Sequence, residues 1–220
     1  MTTVVVAAHP DDEILGAGGI LARLVQSGEE VHAVIMADGA GSRYPADMVD
    51  TLQKSAQRAA EVVGFASLSF GLFPDQRLDA EPLVELTQYI EAKLAPLRPR
   101  VVLTHFPGDA NADHGIVARA AWTACRPYAA PWVHRFAVFE TPSATEWGWP
   151  QSGNELQPNL FVGITHTLEV KLAAMTCYES ELRDYPHPRS LRALRERAAF
   201  WGSHVGLTYV EPLRVLRDVE

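Results

Sequence analysis

The run Val4-Val5-Val6-Ala7-Ala8 passes without a break into His9-Pro10-Asp11-Asp12-Glu13. An apolar run of this length, with no polar alternation, predicts a strand buried on both faces, as in a parallel sheet covered by helices. The residues that follow, Asp11 to Gln26, place Ile14, Gly18, Leu21 and Val25 at the spacing of one helical face. The His-Pro-Asp-Asp-Glu cluster therefore occupies a strand-to-helix turn. In an open α/β sheet such turns lie at the carboxyl edge, where ligands bind.

The alternation continues. A second strand is predicted at Glu30 to Ala37, ending in the turn-forming Asp38-Gly39-Ala40-Gly41. A helix over Met48 to Val63 puts Leu52, Ala56, Ala59 and Val63 on one face and stops at Gly64. Ser67 to Gly71 reads as a third strand closed by Phe73-Pro74-Asp75, and Pro82 to Pro96 as a helix with Leu83, Leu86, Ile90 and Leu94 inward. Arg100 to Thr104 is the fourth strand, and the chain turns helical again after Asp113. The pattern implies a Rossmann-like, three-layer α/β fold with a mostly parallel sheet, in strand order 3-2-1-4-5-6. Beyond it, Phe136 to Glu140 and Asn159 to Ile164 read as strands, and Leu168 to Tyr178 and Ser190 to Ser203 as helices. Thr141 to Pro158, rich in Trp, Pro, Gly and Ser, reads as a long loop of the kind that covers a site. With 220 residues and 47% hydrophobic content the chain can bury a full core, and one domain over 1–220 is expected.

A net charge of −8 argues against a nucleic-acid partner, which needs a basic footprint. The arginines between Arg183 and Arg197 are offset by Glu179, Glu181, Asp184 and Glu196 and read as a solvated helix face. There is no apolar run long enough for a transmembrane segment and no basic region ahead of the first strand, so a cytoplasmic protein is expected. Cys125 and Cys177 form no metal-type or redox-type pair and read as reduced thiols. A small molecule is the partner that fits this balance; the sequence leaves oligomeric state open, and a homo-oligomer is compatible with it.

His9 and Asp12 lie three residues apart in one turn, close enough to reach one ion, and imidazole with carboxylate is an ordinary Zn²⁺ ligand pair. A catalytic site needs a third ligand. In the expected order, strands one and four are neighbours at the switch point, so the segment after strand four, Asp109-Ala110-Asn111-Ala112-Asp113-His114, faces the first turn. His114 is the candidate. Helix capping would account for Asp11, Asp12 and Glu13 as a group, and a capped helix would account for Asp113-His114; neither accounts for His9. Gly16-Ala17-Gly18-Gly19 lacks the last glycine of a dinucleotide loop, and neither a Walker A lysine nor a G-x-S-x-G elbow is present.

The segment Ala8-His9-Pro10-Asp11-Asp12-Glu13 with its Gly-rich helix, Asp109-x-Asn111-x-Asp113-His114 and Tyr178-x-Ser180-Glu181 together resemble the PIG-L / LmbE-like family of zinc-dependent N-deacetylases. The resemblance implies an LmbE-like fold and removal of acetyl groups from N-acetylglucosamine-type amides. It implies that His9, Asp12 and His114 hold Zn²⁺, with Fe²⁺ or another divalent ion as an alternative, that Asp11 is the general base, and that Asp113 orients His114. Some relatives carry a histidine three residues before the final metal histidine. Asn111 stands there in this chain, so the oxyanion donor is Asn111 or His187, from Tyr185-Pro186-His187-Pro188-Arg189.

The chemistry expected is metal-assisted amide hydrolysis. Arg43, Asp75 and Arg189 are the expected substrate-binding residues, with loop solubility as the plain alternative for Arg43 and Asp75. Trp147 and Trp149 would stack on a sugar ring or anchor their loop. Glu13 is expected to support the turn, and His105 to be either a supporting group or simply the strand's end. Two other readings fit the same turn: a zinc amidase or esterase on a non-sugar acyl group, and a metal-free Rossmann-like binding module.

Overall fold

The computed structural model describes residues 1–40, 45, 48–150 and 155–220. In chain order the elements are β1 (Thr2–Ala7), α1 (Asp12–Gln26), β2 (Glu30–Ala37), α2 (Met48–Val63), β3 (Ser67–Phe73), α3 (Leu83–Leu97), β4 (Val101–His105) and α4 (Ala112–Ala124). They continue with β5 (Arg135–Phe139), β6 (Leu160–Gly163), α5 (Leu168–Thr176), α6 (Leu191–Ser203) and β7 (Val210–Asp218). Short 3-10 turns lie at Leu78–Ala80 and Thr145–Trp147.

The sheet runs β3-β2-β1-β4-β5-β7-β6. Strands β1 to β5 pair in parallel, while β7 runs antiparallel to both β5 and β6. Along β1, alternate side chains enter different layers, as the strand's period of two requires. Val5 packs in the core formed with α1, α2, α5 and α6, and Val4 and Val6 in the core formed with α3 and α4. Both faces of the central strand are thereby sealed, which is why its sequence carries no polar alternation.

The expected strand order lacked β7, which inserts between β5 and β6. Its sequence hides it: Glu211, Arg214, Arg217 and Asp218 are charged and Pro212 cannot donate a ladder bond. Pro212 is tolerated because the pairing with β5 begins one residue later, at Leu213 with Phe139. Glu211 is buried because it has partners. It accepts from the Gly19 and Ile20 N–H groups in the middle of α1 (3.1 and 2.7 Å) and pairs with Lys171 Nζ at 2.5 Å. Lys171 also donates to the Leu15 carbonyl of the same helix (2.8 Å).

The glycines of α1 serve close packing. A Cβ added at Gly16 would lie 2.1 Å from the Phe139 ring, and one at Gly19 would lie 2.7 Å from Ile164. Helix α1 can therefore lie flat on the sheet, which sets its N-terminal turn beside the loop that follows β4.

Candidate metal centre and active site

The turn after β1 is held by its own groups. His9 N–H donates to Asp12 Oδ2 (2.9 Å), and Asp12 N–H to the His9 carbonyl (3.3 Å). Asp11 has φ 108° and ψ −29°, a backbone state that L-residues rarely adopt and that costs about 1–3 kcal/mol. It stands at the N-cap of α1 yet its side chain makes no capping bond. Capping therefore does not account for the Asp11 carboxylate.

Across the switch point, His114 sits in the first turn of α4. Its Nδ1 lies 2.8 Å from Asp109 Oδ2, so Nδ1 carries the proton and Nε2 presents a lone pair toward Asp12 Oδ2, 3.3 Å away. On His9, Nε2 lies 3.1 Å from Asp113 Oδ2 and 3.4 Å from Asp75 Oδ1, which places the proton there. In a ring that carries a single proton, its Nδ1 therefore turns a lone pair on the same Asp12 oxygen, at 3.1 Å. Acceptors so arranged repel unless a cation lies among them. Protons can relieve the repulsion. Burial opposes charge on His9, but its bonds to Asp113 and Asp12 prevail and its pKa is pushed up to about 10. Burial likewise opposes charge on His114, and Asp12 and Asp109 raise its pKa nonetheless. Burial works against the Asp12 carboxylate too, yet the histidines hold its pKa well below the usual carboxylate range.

A divalent cation relieves the repulsion with all three donors engaged. The ligating atoms of His9, Asp12 and His114 lie within 4.8 Å of one another, and two imidazoles with one carboxylate suit Zn²⁺ or a similar ion. Two further groupings, His105/Asp109/His114 and His9/Asp75/Asp113, are equally compact. Their carboxylates, Asp109 in one and Asp75 and Asp113 in the other, face the two rings from the opposite side, the usual second layer of a histidine metal site. His105 is not available as a ligand. The Ala8 N–H donates to its Nε2 (2.8 Å), so Nδ1 bears the proton and donates to Thr141 Oγ1 (2.9 Å). Burial first, then the neighbouring His114, lowers its pKa well below the usual histidine value, and the neutral ring stacks on His114 at 4.0 Å.

These groups floor a cavity of about 500 Å³, which Asp11, Asp75, Asn111, Trp147, Glu181 and Arg189 also line. Burial and the adjacent Asp12 push the Asp11 pKa well up, against the pull of Arg189 Nη1 at 3.4 Å. Arg189 Nη1 is held in turn by Glu181 Oε2 at 2.8 Å.

Residues 4–125, more than half of the chain, match the family model described as PIG-L, GlcNAc-PI de-N-acetylase. The chain belongs to the PIG-L family. It is 26% identical over 222 residues to the diacetylchitobiose deacetylase of Thermococcus kodakarensis, covering 96% of this chain and 81% of that protein. It is also 28% identical over 202 residues to the 4-oxalmesaconate hydratase of Pseudomonas putida, covering 80% of this chain and 72% of that one. Among solved structures, the conserved protein TT1542 from Thermus thermophilus superposes with a TM-score of 0.80 at 26% identity, over 99% of this chain and 96% of that chain.

Against this PIG-L framework, the structure brings together most of the residues expected from sequence. His9, Asp11, Asp12, Asp75, Asn111, His114 and Arg189 all line the one cavity. One expectation is corrected, and one residue stands apart from the cavity. Asp113 does not orient His114: its Oδ2 faces His9 and its Oδ1 accepts from the Leu78 N–H (3.2 Å). Adjacent helical residues point in different directions, so the carboxylate that reaches His114 comes from Asp109, five positions back in the loop. His187 is not among the cavity-lining residues. Its Nδ1 accepts from the Arg189 N–H (3.1 Å) and its ring stands edge-on to Trp147 at 5.8 Å. Asn111 does line the cavity, and because its Oδ1 caps α4 through the Asp113 N–H (3.0 Å), its Nδ2 is the donor left over. Arg43 lies outside the described residues.

Trp147 borders the cavity, while Trp149 lines a separate recess with Glu146 and Arg197. Sequence reading gives no part to Gln76, whose side-chain amide lies 3.3 Å from His9 Nε2, nor to Thr145, whose hydroxyl donates to Asp109 Oδ1 (2.6 Å). Tyr178 belongs to a recognised motif but has no role legible from it. Its hydroxyl donates to Glu13 Oε1 (2.5 Å), and burial pushes the Glu13 pKa up to about 7 against that bond.

Proposed function

We propose that this chain is a divalent-metal N-deacetylase that removes the acetyl group from an N-acetylglucosamine-type sugar or its conjugate, with Zn²⁺ the expected metal. The observation that carries the reading is the convergence of His9 Nδ1 and His114 Nε2 on one oxygen of Asp12, beside a carboxylate, Asp11, that capping does not occupy. His9, Asp12 and His114 would hold the ion, which would supply Lewis acidity for the hydrolysis.

The chain's own groups do the rest. Asp11, with its raised pKa, accepts the water proton and returns it to the departing amine, leaving acetate and the free amino sugar. Asn111 Nδ2 donates to the developing oxyanion. His9 and His114 are kept in one tautomer by Asp113 and Asp109. Asp75 and Arg189 bind sugar hydroxyls, Trp147 offers an apolar face to the ring, and Arg43 completes the substrate set.

The hydratase relative suggests a second reading, a carboxylate-bearing substrate. The cavity lining disfavours it: Asp11, Asp12, Asp75 and Glu181 face a single arginine and no lysine among the described residues, and the Nη1 of that arginine, Arg189, is already shared by two carboxylates. The test is acetate release from N,N′-diacetylchitobiose by protein of known metal content, with 4-oxalmesaconate as the competing substrate. Stoichiometric metal and acetate release support the reading. Turnover of 4-oxalmesaconate alone, or no transition metal under any preparation, sinks it.

A further inference from the structure

We propose that Glu13 and Tyr178 form a positioning pair that holds the Asp11 backbone in its left-handed state and so aims the Asp11 carboxylate into the cavity. The inference rests on the reading of Asp11 as the base.

Three observations carry it. First, Asp11 has φ 108°, a state suited to glycine, so a side chain is retained there at the expense of local strain. Second, the helix backbone holds residue 11 through its carbonyl alone. The Asp11 carbonyl accepts from the Ile14 and Leu15 N–H groups (3.0 and 2.8 Å), whereas its N–H has no backbone acceptor among the described residues. Glu13 Oε2 accepts that N–H at 3.2 Å. Third, Glu13 is itself held from a distant part of the chain: Tyr178, just beyond α5, donates its hydroxyl to the other carboxylate oxygen. Both side chains are sealed from solvent, at 1% and 0% exposure, so water cannot replace either bond. Neither Glu13 nor Tyr178 lines the cavity, and both therefore act through Asp11.

The experiment is a double-mutant cycle on the metal-loaded protein, reading kcat and KM for acetate release from N,N′-diacetylchitobiose, with metal per chain and Tm measured alongside. Tyr178→Phe is expected to lower kcat about 10-fold, as small misplacements of a reacting group do, with KM and metal content unchanged. In an Asp11→Ala background the same substitution is expected to change kcat less than about twofold, because the group being positioned is gone. Glu13→Gln, whose amide oxygen still accepts the Asp11 N–H, should retain more kcat than Glu13→Ala. Wild-type kcat in Tyr178→Phe, equal losses in the two Glu13 variants, or full multiplicative losses in the double variant would overturn the pairing alone. Wild-type turnover in Asp11→Ala would overturn the reading beneath it as well. A crystal structure of Glu13→Ala gives an answer independent of activity: Asp11 is expected to leave positive φ, and an unchanged value near 108° overturns the proposal.

Discussion

The floor and the cover of the cavity are built differently. The floor comes from two turns, after β1 and after β4, on neighbouring parallel strands whose register is fixed along their length. Its proposed ligands are side chains with little exposure, and the two imidazoles among them are each held by a carboxylate. The cover comes from 141–150 and 178–189, where Trp147 is 55% exposed and Arg189 is held by side chains alone among the contacts of its guanidinium. Chemistry that tolerates no misplacement rests on the rigid part, and contacts that adapt to a substrate rest on loops.

If this contrast is real, damage should be graded from floor to cover. Replacing both His9 and His114 by Ala should abolish metal binding by elemental analysis and bring acetate release to the uncatalysed level. Asp11→Ala should lower kcat about 10²–10⁴-fold while metal content stays at the wild-type value. Asp109→Ala and Asp113→Ala should each weaken metal affinity about 10–100-fold in competition with a chromophoric chelator, since each orients a different ring. An effect of Asp113→Ala confined to His114 would show that the two supports have been assigned the wrong way round.

Trp147→Ala should raise KM about 3- to 10-fold with kcat nearly unchanged, the size expected for one aromatic contact. The mildest test concerns pH. His9 titrates near 6.5 in an unfolded chain and at about 10 in the fold, so its proton stabilises the fold fully below pH 6.5 and that stabilisation is lost as pH rises toward 10. The Tm of chelator-treated protein should fall across that window by roughly 5–10 °C. Added metal should remove the slope, and so should His9→Ala.

The floor was legible in the sequence because its signals are local. A strand, a turn and a helix face can be read within about twenty residues, and the switch-point rule then pairs His9 with His114. The bounds of β2 and α2 come out as expected, at Glu30–Ala37 and Met48–Val63. What failed depends on side-chain direction or on distant partners. Asp113 and Asp109 lie in one motif, and only the start of α4 at Ala112 decides which of them turns to His114. Tyr178 and Glu13 are 165 positions apart, and the bond between them has no sequence signature. Strand β7 was missed because its one buried charge, Glu211, reads as exposed until Lys171 is placed beside it.

That last pair bears on the order in which the molecule can be assembled. Residues 4–125 hold all three proposed metal ligands, yet α1, which carries Asp12, has two backbone N–H groups whose acceptor is Glu211. During synthesis Ile20 of α1 is made 191 residues ahead of its anchor, Glu211. The first four strands can gather early, since their contacts are sequential, but α1 lies against an unfinished surface until β7 slots in beside β5. A nascent protein stalled before Glu211 should therefore bind the proposed ion weakly, although every proposed ligand has already been made.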